Sequence, residues 1–276
     1  MDWNSGERTT IRAGGKQLEA VAFGPSPKDA PTIVLLHEGL GCVSLWRDFP
    51  ERLSEKTGWG VFVYSRAGYG ASDPADLPRP LDYMTREAVD VLPDVLAEIG
   101  FEKGVLLGHS DGASIAALYG GTVEDLRIRG LILIAPHFFT EDAGLTSIAE
   151  AKSAYETGDL KEKLARHHDH VDNAFKGWND AWLDPEFRDW NIGATIDHLR
   201  IPVMGIQGRD DQYGSMAQLD ELETRLYSPF DRVEIEGCQH APYLEKPEET
   251  LAAAAEFVTR LQRIESTVVP IKAVGQ

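Results

Sequence analysis

A chain of 276 residues with 42% hydrophobic and 26% charged side chains is long enough to close a large core, which excludes a disordered chain or a small disulfide-stapled scaffold. Its 27 Lys and Arg against 45 Asp and Glu leave a formal charge of −18, which opposes binding to nucleic acid or to anionic membrane surfaces. The opening MDWNSGERTT lacks the regions of a secretory signal, no stretch has the roughly 18 continuous apolar residues of a membrane span, and the cysteines Cys42 and Cys238 are too few for a disulfide framework, so a cytoplasmic protein with free thiols is expected.

In chain order, TTIRA and LEAVAFG alternate with period two and predict an antiparallel hairpin at a sheet edge. PTIVLLH (31–37), GVFVYS (60–65), GVLLGH (104–109) and GLILIAP (130–136) follow as short, β-branched apolar runs, each predicting a buried strand. Helical periodicity separates them at LWRDFPERLSEK, TREAVDVLPDVLAEIG and SIAALYGG. About 60 residues then pass before the next strand, and a structureless loop of that length is improbable. Helices near 147–157 and 159–176, followed by Phe175, Trp178, Trp182, Phe187 and Trp190, predict a small helical cap there. IPVMGIQG (201–208), MAQLDELETRLY, DRVEIEG (231–237) and PEETLAAAAEFVTRLQRI resume the alternation. The expected fold is α/β, a mostly parallel doubly wound sheet of about eight strands. Its core spans 1–137 and 197–264, with the cap at 138–196 and a tail at 265–276.

Chemistry concentrates in Gly108-His-Ser-Asp-Gly112, a G-x-S-x-G between a predicted strand and a predicted helix. Such a turn is sharp enough to require small flanking residues, and it lifts the Ser110 hydroxyl to the C-terminal edge of the sheet; an ordinary glycine-rich turn with an incidental serine is the plain alternative. A serine hydroxyl needs a base to take its proton, and the base needs an acid to hold its tautomer. Downstream, one strand runs into Gly208-Arg-Asp-Asp211 and the next into Cys238-Gln-His240. An acid beyond one strand and a histidine beyond the next complete the order Ser, Asp, His. The backbone N–H of Asp111 is one donor for a developing oxyanion, and a second is expected from the loop His37-Glu-Gly-Leu-Gly41.

From about residue 31 to 260, the segments LLHEGLG, SRAGYGASD, GHSDG, GRDD and QHAPYLEKPE resemble the successive signatures of α/β-hydrolase-fold proteins with a lid. The resemblance implies that Asp211, with Asp210 as the fallback, is the acid, and that Gly39, or Leu40 in a shifted register, is the second oxyanion donor. It also separates this serine-bearing chain from haloalkane dehalogenases and epoxide hydrolases, which use an aspartate. Two segments depart from the pattern: Glu38 stands where the family usually has glycine, and Tyr64-Ser-Arg-Ala-Gly-Tyr-Gly-Ala-Ser72 replaces D-x-R-G-x-G-x-S.

Asp111 and Glu38 place two carboxylates around the proposed nucleophile. G-x-S-D-G is similar to the elbow of valacyclovir-hydrolase-type enzymes, which implies a taste for α-amino acid esters. The alternative is that both side chains turn into the scaffold, Asp111 at a helix N-terminus. Arg166-His-His-Asp-His170 reads as a solvated cap helix; His167 and His170, one turn apart, lack the further ligands a metal needs, and no metal or cofactor is expected. The reading is a cofactor-free serine hydrolase of a small or medium carboxylic ester, with Ser110, Asp211 and His240 catalytic. Gly39 and Asp111 form the oxyanion hole, and Glu38, Leu40, His137, Trp178 and Trp182 contact the substrate. Lactonase, amidase or aminopeptidase and C–C bond hydrolase activities fit the same triad, as does a ligand receptor with little turnover. The expected partner is a small-molecule substrate, neither nucleic acid nor membrane, and a homodimer is left open.

Overall fold

Val61 and Val63 pack on one face of the sheet, and Phe62 and Tyr64 on the other. The same split divides Ile33 and Leu35 from Val34 and Leu36, because successive strand side chains point to opposite sides. A run apolar at every position therefore needs cover on both faces, and helices supply it. The computed structural model describes residues 2, 3 and 6–267. Among them, β1 (Thr9–Ala13), β2 (Lys16–Phe23), β3 (Thr32–Leu36), β4 (Gly60–Tyr64), β5 (Gly104–His109), β6 (Ile128–Ile134), β7 (Val203–Gly208) and β8 (Phe230–Ile235) form one sheet of order β1-β2-β4-β3-β5-β6-β7-β8. β1 and β2 are the antiparallel edge, and β4 through β8 run parallel with β3.

The helices Phe49–Thr57 and Pro247–Ser266 cover one face through Phe49, Leu53, Leu251, Phe257 and Val258. Leu92–Glu98 and Asp111–Thr122 cover the other. The connection leaving β3 returns through β4 on one side, whereas the next crosses to β5 on the other. A crevice opens where the winding reverses, at the C-terminal ends of the strands. There the loops after β3, β5, β6, β7 and β8 converge.

Three sequence expectations are corrected. TREAVDVLPDVLAEIG is not one regular helix: Tyr83–Arg86 passes through a wide π-type turn, Glu87–Val91, into Leu92–Glu98. Pro93 has no N–H to give and its ring crowds the preceding turn, so the wider turn accommodates it. The helix expected over 159–176 is two, Leu160–Leu164 and Val171–Trp182, interrupted at the histidine run. The last helix continues to Ser266, past the expected start of the tail, and residues 268–276 lie outside the described residues. Between β6 and β7 the longest helices are Asp142–Thr157 and Val171–Trp182, whose Ile148, Trp178 and Trp182 belong to the same apolar cluster as the Asp111–Thr122 helix. No described helix is long and apolar enough to cross a membrane.

Candidate active site

Ser110 joins β5 to the helix Asp111–Thr122 with φ 53° and ψ −119°, a conformation that costs a non-glycine residue energy. The surroundings hold it there. Its N–H donates to the Ile134 carbonyl of β6 at 2.9 Å, and its carbonyl accepts from Ala113 and Ser114 N–H. A Cβ on Gly108 would lie 2.2 Å from the Gly112 carbonyl oxygen, and one on Gly112 would lie 2.0 Å from that of Leu36, so both elbow positions must be glycine. Ser110 and His240 line one cavity of about 100 Å³ at the C-terminal edge of the sheet.

His240 follows β8, and its Nδ1 lies 2.8 Å from Asp211 Oδ2 and 3.0 Å from Oδ1. A carboxylate only accepts, so Nδ1 carries a hydrogen, and in the neutral ring Nε2 is the lone pair. Burial pushes the Asp211 carboxyl up, but the bonds from His240 and from Tyr213 N–H outweigh it and hold the pKa below the ordinary value. Gln207 Nε2 donates to Oδ2 at 2.7 Å and fixes the carboxylate from β7. Asp210 is exposed and meets the site only through its backbone, which donates to the Cys238 carbonyl. His137, on the other side of His240, is pushed down to about 3 by burial and by His240, and is therefore neutral.

The loop 37–41 is pinned from beneath. His37 Nδ1 donates to the Glu38 carbonyl at 2.7 Å while its Nε2 accepts from Arg66 N–H at 3.0 Å, a neutral ring whose pKa burial and Arg66 push well down. The buried Arg66 guanidinium donates to the carbonyls of both His37 and Glu38. In a trans peptide the C=O and the following N–H point opposite ways, so with the Glu38 carbonyl turned down onto Arg66, the Gly39 N–H points up on the cavity side. Gly39 lines that cavity, and the Trp178 indole lies where a side chain at Gly39 would project.

Glu38, Leu40, His137, Trp178 and Trp182 all stand on the cavity wall. Asp111 does not. It is 1% exposed, and its Oδ2 accepts from Tyr83 OH at 2.5 Å, while Tyr83 in turn accepts from Trp182 Nε1 at 3.0 Å. Burial raises its pKa against the pull of Arg66 and Tyr83. Its side chain thus faces the scaffold and acts on the wall through Trp182. Sequence reasoning missed Glu141, Ile148 and Tyr213, which also line the cavity. Glu141 is held there by Ser215 N–H and Oγ and by Gln218 Nε2, at 2.6 to 3.0 Å. No local motif marks these residues; only an i, i+4 stripe through Gly144 and Ile148 hints at an inward helix face.

The histidine run is not a solvated helix. His168 is 3% exposed; its Nδ1 accepts from Gly70 N–H at 2.9 Å and its Nε2 donates to the Leu40 carbonyl at 3.0 Å. His167 Nδ1 pairs with Ser44 Oγ at 2.8 Å, and His170 is exposed. These bonds draw the chain down onto the core loops and interrupt the helix. Cys42 and Cys238 are buried free thiols, Cys42 facing Ser44 Oγ and Cys238 facing the Gln239 carbonyl.

A carboxylate-held imidazole and a strained serine around one cavity, with a backbone N–H directed at it, can support nucleophilic acyl transfer. Comparison with known proteins bears on the family and the fold. The profile of the alpha/beta hydrolase family matches residues 33–254. The chain is 22% identical over 271 residues to a proline iminopeptidase of Lactobacillus helveticus, covering 83% of this chain and 90% of that one. Among solved structures it is similar to the enol-lactonase from Burkholderia xenovorans LB400, with a TM-score of 0.71, 19% identity, and 91% and 100% of the two chains covered. A carboxylesterase from Bacillus subtilis superposes with a TM-score of 0.69 at 16% identity over 93% of each chain. With a profile match that runs from β3 into the last helix, the chain belongs to the alpha/beta hydrolase family.

Proposed function

We propose that this protein is a serine hydrolase that cleaves a small carboxylic ester through an acyl-enzyme on Ser110. The observation that carries the reading is the Asp211–His240 pair, which engages His240 through Nδ1 and so leaves Nε2 available to act as base at the cavity that Ser110 also lines. Ser110 Oγ attacks the ester carbonyl as Nε2 takes its proton, and Asp211 steadies the imidazolium that forms. The oxygen that becomes negative accepts from the N–H groups of Gly39 and Asp111. Collapse of the tetrahedral intermediate breaks the C–O bond, and His240 returns its proton to the departing alkoxide. Water then attacks the acyl-enzyme with His240 again as base, releasing the carboxylic acid and Ser110. A cavity of about 100 Å³, below the roughly 300 to 1,000 Å³ of pockets for drug-sized ligands, suits a small acyl group. The helices between β6 and β7 serve as the cap that excludes water from it, through Ile148, Trp178 and Trp182.

A second reading, hydrolysis of an amide next to a free amine, is favoured by Glu141, whose carboxylate stands on a wall that carries no Lys or Arg. Multiple turnovers of p-nitrophenyl acetate, abolished in Ser110→Ala, are expected for the ester reading. Comparison with an aminoacyl p-nitroanilide separates the two: faster cleavage of the anilide, lost in Glu141→Gln, would replace the first reading with the second. Tight binding of either compound without turnover would favour a receptor instead.

A further inference from the structure

The departure at Glu38 and the residue before the nucleophile meet in space. His109 Nε2 lies 2.8 Å from the backbone carbonyl of His240. A carbonyl only accepts, so Nε2 carries a hydrogen, and in a neutral ring Nδ1 would be a bare lone pair. That Nδ1 lies 3.4 Å from Glu38 Oε2, and both atoms are buried without a hydrogen-bond partner. Two acceptors facing each other in a buried place repel, and each is costly to leave unmet. A proton on Nδ1 turns the contact into an ion pair, longer than a tight hydrogen bond but within reach of one.

We propose that Glu38 and His109 form a carboxylate–imidazolium pair that ties the loop of Gly39 to the loop of His240 across the elbow. It rests on the roles proposed above for Gly39 and His240, and makes Glu38 and His109 positioning residues. One ring joins three segments: its place in the chain next to Ser110, its Nε2 on the His240 backbone and its Nδ1 on Glu38. The pair also accounts for a carboxylate beside an oxyanion hole, since its charge is met by His109 rather than set against the substrate. Burial raises the Glu38 carboxyl, but His109 first, then a backbone hydrogen bond and His240, outweigh it and hold it below the ordinary value, so Glu38 is the negative member of the pair. The groups facing the pair are Cys42, His168 and Tyr243 around Glu38, and the rings of His240 at 5.0 Å and Tyr243 at 5.2 Å around His109. His137 lies beyond His240, and Arg66 holds the Glu38 carbonyl.

Nitrogen-15 NMR of the histidine rings in the full chain, with His109 assigned from its own backbone, reads this proton without any turnover. Its failure is therefore distinguishable from failure of the esterase reading. At pH 7 both ring nitrogens of wild-type His109 should be protonated, and in Glu38→Gln, whose amide can donate to Nδ1, only Nε2 should be. Where p-nitrophenyl acetate is turned over, the ratio of kcat/KM for Glu38→Gln to that for wild type should rise with pH. Only the wild type then loses a proton that holds its loops together. A neutral His109 ring in the wild type at pH 7, a ring unchanged by Glu38→Gln, or parallel pH profiles would each overturn the proposal.

Discussion

Two cavities lie at opposite ends of the parallel strands, and the larger is the less equipped. At the N-terminal ends of β6 and β7 a cavity of about 800 Å³ is lined by Tyr119, Leu126, Ile128, His198 and Pro202 among others. At the C-terminal ends the cavity around Ser110 and His240 is about 100 Å³. In the first, the carboxylate Asp125 is spent on its neighbours: Arg127 and Tyr119 OH bind it, both at 2.7 Å, and its pKa falls to about 2. In the second, Asp211 holds a histidine by Nδ1 and leaves its other nitrogen free of that contact. Volume therefore does not mark the site. What marks it is the convergence of strand ends, which brings groups from distant parts of the chain together with one valence unused.

The largest expected effects break the small cavity. Ser110→Ala and His240→Ala should each lower kcat by roughly 10⁴-fold or more with the circular dichroism unchanged, because the members of such a unit fail together. Asp211→Asn should cost about 10² to 10⁴-fold by presenting the wrong tautomer, while Asp210→Asn stays near wild type. The reverse pattern would move the acid to Asp210. Asp111→Ala and Tyr83→Phe should each cost about 10-fold, the scale of a small misplacement of Trp182, and equally on a neutral ester and an α-amino acid ester. A loss confined to the charged ester would mean that Asp111 reaches the substrate.

Stability should distinguish the two ends as well. The buried histidines with lowered pKa, His37, His137 and His168, all lie at the end that carries Ser110. Burial is the first cause in each case. Below the ordinary pKa of 6.5 the unfolded chain binds protons that the folded one refuses, so stability falls as pH drops from 6.5 toward 3. For His137 this amounts to up to about 1.4 kcal/mol per pH unit within that window, and His37 and His168 act in the same direction. Hydrogen exchange should show the loops around His37, His137 and His168 opening before the N-terminal ends of β6 and β7. Uniform opening would contradict this. The smallest effect belongs to the large cavity: Leu126→Ser, at an 88% exposed position, should leave kcat/KM within about twofold.

The strands and the elbow were legible because local physics constrains them: period-two burial splits Val61 and Phe62, and backbone crowding leaves only glycine at 108 and 112. His240 and an acid at 210 or 211 were legible because each ends a strand, but the choice between Asp210 and Asp211 depends on one residue of turn geometry. Side-chain direction was not legible. Asp111 neighbours Ser110 in sequence yet turns to Tyr83, and Glu38 bends to His109. Glu141 and Tyr213 reach the cavity only because β6, β7 and the helices between them bring distant segments together, and no spacing encodes that. His168 was hidden for the same reason, since its partners Leu40 and Gly70 lie about 100 residues and more away.

The proposed function requires Ser110 to be an activated nucleophile. A fluorophosphonate probe, followed by peptide mapping, tests it without knowledge of the substrate. One phosphonyl group per chain should attach to Ser110, none in Ser110→Ala, and far more slowly in His240→Ala because the base is gone. No adduct on the folded protein, or an adduct on another serine that survives Ser110→Ala, would contradict the account.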